Sequence, residues 1–420
     1  MVEIVRTAVV GLGTAAQSLH LPMLLRRHDR FETVAVVDIS ERRRTDAAAK
    51  WRISEDASYA SVADLMAAVR AKDIEVDAVI YAADGLRADD VLQIIKRGIP
   101  VLLQPPAGYG SADIQQIIDY ERLTGRSLVM MANTQLYDPS LDRFLEDNRA
   151  RDLRILEFET LMPAESAMYA HHHVTSAAYD IPAEVRTQRR DALEAAVLAG
   201  AGEASTSADR NLFVKGLLTG MAYQLSVLRW MFGPLTELHS VRQWPEGVIP
   251  GSIEVSGAVA DGAHVRIAWH YLPFAPQLRD SIRFVAIRRQ GRIQLASPAD
   301  ADARSTYFVT QRVEGRVTGT EILAESSALA AMHEAFYAFV AKGETPRSGL
   351  ADALADTELA RQLLGELAAA DGRSLDAEPA EPESAAEPKP EQKPESQPEP
   401  DSEPDAEPDS EPDALTPERE

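Results

Sequence analysis

The amino-acid sequence predicts an α/β fold with two domains, followed by an acidic, proline-rich tail. In the first third of the chain, strands that are apolar throughout alternate with helices, which is typical of a doubly wound parallel sheet covered on both faces. Further along, strands that alternate polar and apolar side chains predict a large, open, mostly antiparallel sheet in an α+β domain. We therefore expect a parallel-sheet domain at residues 1–135, the α+β domain at 136–375 and a disordered tail at 376–420.

Charge separates the tail from the rest of the chain. The 420 residues carry a formal net charge of −23, and residues 376–420 contribute −14 of it together with 11 of the 25 prolines. So charged a segment cannot bury enough apolar surface to offset the entropy of ordering, which is why we expect it to be disordered. The net negative charge and the absence of a large basic block argue against nucleic-acid and anionic-membrane binding.

Two absences in the sequence narrow the function further. The chain has no cysteine, which excludes disulfides, thiolate metal sites and cysteine nucleophiles. No apolar run approaches the roughly 20 residues that a membrane-spanning helix needs. We therefore expect a soluble, cytoplasmic protein without a membrane partner.

The elements of the first domain follow one another in strand–helix order. Short apolar runs predict its strands, and longer amphipathic runs predict its helices. The predicted strands are residues 7–10, 33–37, 78–81, 101–103 and 127–131. The predicted helices are residues 15–27, 41–50, 61–71, 89–97 and 111–124.

The second domain has a different pattern. A half-exposed strand is predicted at residues 153–161, and the loop after it, at 164–180, holds three consecutive histidines. A long apolar helix at 212–232 ends at Gly233-Pro234. The remaining predictions are helices at 185–198, 326–340 and 351–370, and amphipathic strands between 236 and 317 that include 265–271 and 281–289.

Residues 11–16, Gly-Leu-Gly-Thr-Ala-Ala, follow the first strand and open the first helix. In a Rossmann fold, Gly11 permits the tight turn and Gly13 lets the backbone approach a pyrophosphate, which lies on the unpaired N–H groups of the helix start. Asp38 ends the second strand, where a carboxylate accepts hydrogen bonds from the adenosine ribose and repels a 2′-phosphate. We therefore expect NAD as the cofactor, and the arginines at 42–44 keep NADP open.

Six motifs occur in order along residues 5–370. They are Gly11-Leu-Gly13, His20-Leu-Pro22, Val76-Asp-Ala-Val-Ile80, Arg97-Gly-Ile-Pro-Val-Leu-Leu-Gln-Pro-Pro106, Leu228-Arg-Trp-Met-Phe-Gly233 and Glu334-Ala-Phe-Tyr-Ala-Phe339. In this order and spacing they resemble the glucose–fructose oxidoreductase / inositol dehydrogenase (Gfo/Idh/MocA) family. The resemblance implies an N-terminal Rossmann domain and a C-terminal sheet that shields the nicotinamide and joins subunits of a homo-oligomer. It also implies hydride transfer on a sugar- or cyclitol-like substrate.

The sequence departs from this family at the positions that take part in proton transfer. Family members usually carry Glu-Lys-Pro at the positions of Gln104-Pro105-Pro106, so a proline replaces the lysine. The family's helix aspartate and general-base histidine fall on Thr219 and Tyr223. Tyrosine, with an ordinary pKa of about 10, is a poor base unless a nearby cation lowers its pKa.

The three histidines at 171–173 offer another proton acceptor, because histidine titrates near neutrality. Of these three histidines, we take His172 as the candidate catalytic residue. Consecutive histidines cannot easily bind one metal ion together, since facial ligation draws on helix pairs four residues apart or on separate elements. We therefore expect no metal site.

The sequence thus predicts an NAD(P)-dependent oxidoreductase that transfers hydride between the nicotinamide and a small polar hydroxy or keto compound. The alternative, favoured by Pro105, is a catalytically degenerate relative that acts in binding, sensing or scaffolding. The predicted catalytic residues are Tyr223, His172, Thr219 and Gln104. The predicted cofactor-binding residues are Gly11, Gly13, Thr14, Ala15, Ala16, Asp38, Ala82 and Gln104.

Overall fold

The structure, a computed structural model of the full chain, describes residues 4–174 and 178–376. The predicted disordered tail lies outside the described residues except for its first residue, Asp376. Residues 5–131 supply one sheet and residues 153–323 supply a second.

The first sheet has six strands and is parallel throughout. The strands are β1 (Val5–Val10), β2 (Phe31–Val37), β3 (Ser58–Tyr59), β4 (Ala78–Tyr81), β5 (Val101–Leu103) and β6 (Val129–Met131). Their spatial order is β3-β2-β1-β4-β5-β6, so the strand order reverses between β1 and β4. Ligands of such sheets bind at the carboxyl ends of the strands beside this reversal. The sequence predicted all of these strands except β3, a two-residue strand too short to show a periodicity.

Helices cover both faces of this sheet. They are α1 (Leu21–Arg26), α2 (Glu41–Trp51), α3 (Val62–Ala71), α4 (Ala88–Ile95) and α5 (Ser111–Thr124). The predicted helix at 15–27 is irregular, because Ala16–His20 forms a π-helical turn ahead of α1. The side chains of Ser40 and Ser61 accept hydrogen bonds from backbone N–H groups in the first turns of α2 and α3, which satisfies donors that a helix start leaves unpaired.

The second sheet has eight strands and is mostly antiparallel, as predicted. The strands are β7 (Leu153–Met162), β8 (Leu235–Trp244), β9 (Ser252–Val259), β10 (His264–Tyr271), β11 (Arg279–Ala286), β12 (Arg289–Leu295), β13 (Thr306–Val313) and β14 (Arg316–Leu323). Their order is β14-β13-β12-β11-β7-β10-β9-β8, and β7 pairs with β10 in parallel. The strand predicted at 281–289 instead crosses the turn between β11 and β12.

The remaining helices are α6 (Pro139–Asp147), α7 (Glu165–Met168), α8 (Ala183–Ala201), α9 (Ser207–Asn211), α10 (Ala222–Phe232), α11 (Ala328–Lys342) and α12 (Leu350–Ala370). The predicted helix at 212–232 is π-helical over Leu212–Met221 and continues as α10. A Cβ on Gly216 would lie 2.6 Å from Cδ1 of Ile253, and one on Gly220 would lie 2.8 Å from Cε2 of Trp269. The two glycines therefore allow this helix to lie directly on the second sheet.

The two sheets share an apolar core. Val9, Ile80, Leu102 and Met130, on one face of the first sheet, belong to the same buried cluster as the inner face of the second sheet. The opposite face of the first sheet forms a separate core with α3, α4 and α5. Packing thus fixes the cleft between the two sheets. Within the two described ranges, no helix is long and apolar enough to cross a bilayer.

Candidate active site

The glycine turn after β1 is pressed against the end of β4. Gly11 has a φ of +82°, and a Cβ at this position would lie 2.3 Å from the Cα of Ala83. Only glycine fits here, because both the left-handed φ and the contact with the main chain exclude a side chain. The N–H of Ala82 donates to the carbonyl of Val10 at 2.7 Å, which ties the ends of the two strands together.

Gly13 has open space around it. The closest atom to a Cβ added at this position would be Oδ2 of Asp84, at 3.8 Å, and its φ is not left-handed. This space lies at the helix start formed by Thr14 and Ala15, whereas Ala16, the third position of the motif, is fully buried. The turn thus leaves room for a pyrophosphate beside helix N–H groups, which fits the predicted dinucleotide.

Asp38 holds two turns together. Its Oδ2 accepts a hydrogen bond from the N–H of Leu12 at 2.8 Å, and its Oδ1 accepts one from the N–H of Ser40 at 2.8 Å. The side chain is 6% exposed, and Nη1 of Arg43 lies 3.7 Å from Oδ2. Each carboxylate oxygen has a second lone pair for a ribose hydroxyl. The contact with ribose stays a prediction.

A loop of the second domain contacts the same turn. Asp180 accepts hydrogen bonds from Oγ of Ser40 at 2.8 Å and from the N–H of Arg42 at 3.1 Å, and these bonds hold the pKa of its carboxyl below the ordinary value. The guanidinium of Arg42 lies 4.7 Å from the centre of the Tyr179 ring. The contact between this loop and the end of β2 was not predicted from the sequence.

A cavity of about 510 Å³ lies between the first helix and the second sheet. Ala15 lines it from the cofactor side, and Gln104, Thr219 and Tyr223 line it from β5 and the long helix. The structure therefore brings three of the four predicted catalytic residues together with one predicted cofactor-binding residue. Three further lining residues, Glu165, Trp269 and Tyr271, were not predicted from the sequence.

Tyr223 is half-buried and hydrogen-bonded to the side chain of Gln104. Burial raises the pKa of Tyr223, and the Gln104 hydrogen bond and the cation of Arg87 offset this only in part. Arg87 is itself buried and donates from Nη1 to the Gln104 carbonyl at 2.6 Å. The sequence analysis missed Arg87, which supplies a nearby cation but does not bring the pKa of Tyr223 down to a value suited to a base.

Thr219 and Lys215 lie on the π-helical segment and both face the cavity. Oγ1 of Thr219 donates to the carbonyl of Val214 at 2.8 Å, so the hydroxyl is left to accept a hydrogen bond from a ligand. Among the cavity-lining residues that the structure describes, Lys215 is the one cation and Glu165 the one carboxylate. No described carboxylate lies within 4 Å of the Lys215 ammonium.

His172 is not among the residues that line this cavity. Its Nε2 donates to the carbonyl of Ala299 at 2.7 Å, and its own carbonyl accepts from Nζ of Lys50 at 3.3 Å. The histidine loop thus contacts both α2 and the segment that follows β12, and a catalytic role for His172 stays a prediction. In the part of the chain that the structure describes, no three histidine, aspartate or glutamate side chains could hold a metal ion together.

Asp280 is a buried carboxyl next to the cavity that the sequence did not single out. It accepts hydrogen bonds from Oγ1 of Thr160 at 3.0 Å and from Nε2 of Gln135 at 2.9 Å, and Gln135 lines the cavity. Burial raises the pKa of Asp280 to about 6. A lone aspartate in an amphipathic strand gives no sequence signal for this, because the partners come from distant elements.

Comparison with known proteins matches part of the chain to a family model. Residues 5–132 match the GFO_IDH_MocA family model, described as an oxidoreductase family with an NAD-binding Rossmann fold. One curated relative is the "Putative UDP-kanosamine synthase oxidoreductase subunit" of Amycolatopsis mediterranei (strain S699), which is 34% identical over 124 residues. That match spans 30% of this chain and 32% of the relative.

Two solved structures share the fold over nearly their whole length. UDP-N-acetylglucosamine 3-dehydrogenase from Acidithiobacillus ferrooxidans superposes with a TM-score of 0.60 at 17% identity, covering 86% of this chain and 97% of its own. The 3-ketoreductase KijD10 from Actinomadura kijaniata, solved in complex with NADP, superposes with a TM-score of 0.59 at 14% identity, covering 85% and 96%. At these identities the likeness shows a shared fold.

Proposed function

We propose a function from one premise, that residues 5–132 are an NAD-binding Rossmann domain of the Gfo/Idh/MocA oxidoreductase family. On this premise the chain is an NAD(P)-dependent oxidoreductase acting on a carbon that bears a hydroxyl or keto group in a small polar compound. When bound, NAD(P) donates or accepts the hydride. The observation that carries the proposal is the shared cavity, in which Ala15 of the cofactor helix lies with Gln104, Thr219 and Tyr223.

The residues around the glycine turn fit the dinucleotide. Gly11 sets the turn, and the open space at Gly13 admits the pyrophosphate next to the helix start at Thr14 and Ala15. Asp38 lies at the end of β2 and faces the ribose of the adenosine half, while Ala82 lies at the end of β4. We assign these positions, with the buried Ala16 packing the helix and Gln104 reaching the nicotinamide end, as the cofactor site.

The substrate side of the cavity suits a neutral polyhydroxylated ring. Trp269 and Tyr271 stack with 6.3 Å between their ring centres, and such aromatic faces pack on the apolar face of a sugar or cyclitol. Lys215 donates and Thr219 accepts hydrogen bonds on the opposite wall. The names of the similar proteins support a sugar-like substrate. They are a putative UDP-kanosamine synthase oxidoreductase subunit, a UDP-N-acetylglucosamine 3-dehydrogenase and a 3-ketoreductase.

In this proposal, Tyr223 orients the substrate hydroxyl and Glu165 accepts its proton. The raised pKa of Tyr223 keeps its phenol protonated at neutral pH, so its oxygen orients the substrate hydroxyl by hydrogen bonding. Glu165 contributes the carboxylate that takes up the proton. A positioned acid–base group typically contributes about 100- to 10,000-fold in rate, so replacing the family's lysine need not abolish turnover.

Pro105 favours a second candidate function, in which the chain binds the nucleotide without turning over a substrate. The position of the family's lysine carries no charge, and the one tyrosine in the histidine position keeps its proton. A chain with this site would act in binding, sensing or scaffolding.

Nucleotide binding and turnover separate these functions. We expect NADH or NADPH fluorescence titration to reveal saturable binding, and a screen of sugars, cyclitols and sugar nucleotides at 340 nm to reveal turnover. Given a substrate, Tyr223→Phe and Glu165→Gln should each lower kcat by about 100-fold or more. His172→Ala tests the remaining prediction, and His264→Ala, on the exposed end of β10, serves as the matched control. Absence of binding for both nucleotides would remove the proposal, and binding without turnover would favour the second function.

We further propose that the chain is a cytoplasmic homo-oligomer assembled through the open face of the second sheet, with a domain boundary at residue 135. Ion pairs cross that face, between Arg283 and Glu157 and between Arg266 and Glu254. A reversal of charge, Arg283→Glu, should dissociate the oligomer in light scattering. A monomeric wild type would contradict this assembly.

A further inference from the structure

Four side chains from four separate elements meet behind the cavity. His20 comes from the π-helical turn before α1, Gln104 follows β5, Tyr223 belongs to α10 and His333 belongs to α11. Both histidines are 0% exposed. Buried polar groups are costly unless they are hydrogen-bonded, so the pairing of these two histidines has to be complete.

The contacts form an unbroken chain from a backbone carbonyl to the cavity. Nδ1 of His333 lies 2.8 Å from the carbonyl oxygen of Leu329, and Nε2 of His333 lies 3.2 Å from Nδ1 of His20. Nε2 of His20 lies 3.2 Å from Oε1 of Gln104. The side chain of Gln104 in turn bonds Tyr223, which lines the cavity.

The carbonyl at the far end fixes the protons along this chain. A carbonyl only accepts, so Nδ1 of His333 carries the hydrogen and a neutral His333 presents a lone pair at Nε2. Nδ1 of His20 must then donate to it, which leaves a lone pair on Nε2 of a neutral His20. That lone pair needs a donor, so the amide nitrogen of Gln104 has to face it. A half-turn of the amide exchanges its oxygen and nitrogen without moving other atoms.

A cationic His20 would satisfy the opposite amide orientation, with Oε1 of Gln104 facing it. Burial opposes this state, because it lowers the pKa of His20 to about 4 and that of His333 to about 3. His20 and Arg27 also lower the pKa of His333, and the hydrogen bond to the Leu329 carbonyl raises it. The hydrogen bond to the uncharged Gln104 amide raises the pKa of His20. Both imidazoles are therefore neutral at physiological pH, and the neutral arrangement applies.

We propose that His333 and His20 are positioning residues that turn the Gln104 amide oxygen toward Tyr223. The Tyr223 hydroxyl then donates to Gln104, which reverses the direction that holds when Oε1 faces His20 and the amide nitrogen donates to Tyr223. The hydroxyl presents its lone pairs to the cavity. The tautomers follow from the geometry and from the neutrality of the two buried imidazoles, whereas the consequence for substrate rests on the proposed function. That consequence is a site that accepts a hydrogen bond from a substrate hydroxyl and selects the alcohol over the ketone.

The tautomers can be observed without nucleotide or substrate. The full-length protein has nine histidines. After labelling with ¹⁵N-histidine, long-range ¹H–¹⁵N correlation spectra are recorded between pH 5.5 and 8.5. We expect two histidines that do not titrate and that carry their proton on Nδ1, the minor form of free histidine. An Nε2–H tautomer or a titration near pH 6.5 at either position would overturn the proposal.

Variants test whether orientation passes along the chain. His333→Phe removes the acceptor, so His20 should leave the Nδ1–H form although it is not mutated. Gln104→Glu places a carboxylate next to Nε2 of His20, so His20 should become doubly protonated, a result that does not depend on how His333→Phe folds. His264→Gln, exposed on β10, should leave both signals in place. An unchanged His20 in a folded Gln104→Glu variant would refute the chain.

Kinetics then connect the chain to the site. With a substrate from the screen, His333→Phe should lower kcat/KM for alcohol oxidation by about 10-fold, the size expected for one misdirected neutral hydrogen bond, and leave the Kd for NADH unchanged. A chain with the expected tautomers but no turnover would contradict the proposed function while retaining the positioning role. Turnover by a protein in which His20 carries its proton on Nε2 would support the proposed function and contradict the positioning role.

Discussion

The glycine turn and the cavity beside it are built from different kinds of contact. The turn uses residues 11–16, the end of β2 and the end of β4, and its atoms are fixed mainly by backbone geometry. The cavity draws side chains from the first helix, β5, the long helix and the second sheet. The turn has the glycine pattern of the family that the sequence resembles, whereas Pro105, Thr219 and Tyr223 stand where that resemblance implies a lysine, an aspartate and a histidine. The backbone of a few neighbouring residues therefore sets the turn, whereas the cavity depends on side chains that only the fold brings together.

The largest expected effect tests the rigidity of the turn. Gly11→Ala combines a left-handed φ with overlap against Ala83 and should lower the free energy of unfolding by about 3 kcal/mol. Gly343, at the end of α11, has a φ of +70° with nothing within 4 Å of an added Cβ. Gly343→Ala should therefore cost only about 1 kcal/mol. Equal losses in urea unfolding would show that the contact with β4 does not matter.

The next effect belongs to the cavity side. The pKa of Asp280 rises from an ordinary 3.8 to about 6, so the folded protein holds a proton that the unfolded chain releases between these pH values. Stability from this group is therefore greatest at low pH and falls by about 3 kcal/mol as the pH rises from 4 to 7.

Asp280→Asn removes this dependence. In urea unfolding between pH 4 and 7, the free energy of unfolding of the wild type should fall by this amount relative to that of Asp280→Asn. Asp261→Asn, on an exposed turn, is the control for the change of charge. Parallel curves for the wild type and Asp280→Asn would mean that Asp280 titrates normally.

A third variant separates binding from stability at the turn. Gly13→Ala fills part of the open space without a clash, since the closest atom to its Cβ is 3.8 Å away. We expect NADH to bind about 100-fold more weakly, because the pyrophosphate loses its place on the helix start, while the unfolding midpoint stays unchanged. Unaltered NADH affinity would place the dinucleotide elsewhere.

The smallest effect concerns the loop that joins the two regions. Asp180 is exposed, so Asp180→Ala should change stability by less than about 0.5 kcal/mol. Removing its carboxylate from the start of α2 should raise the affinity for NADPH relative to NADH by about 2- to 5-fold. Glu184→Ala, an exposed change of equal charge at the start of α8, should leave the ratio unaltered. A ratio that changes equally in both variants would point to net charge alone.

The sequence by itself determined the parallel sheet, the glycine turn and the second, mostly antiparallel sheet. These follow from local rules, because apolar runs, alternation and the φ of Gly11 depend on neighbours in the chain. It also located Gln104, Thr219 and Tyr223 in one site through the family's motif order. The sequence did not predict the π-helical turns at Ala16–His20 and Leu212–Met221, because their apolar pattern is also that of an ordinary α-helix.

Only the tertiary structure decided what surrounds Tyr223. Arg87 and His20 contact Gln104, and His333 contacts His20, although these residues are far apart in the chain. His172 instead donates to the carbonyl of Ala299. Protonation of a buried group depends on what packs around it, and packing joins residues that no local pattern relates. The sequence thus singled out residues that line one cavity, and the fold set the pKa values and hydrogen-bond directions within it.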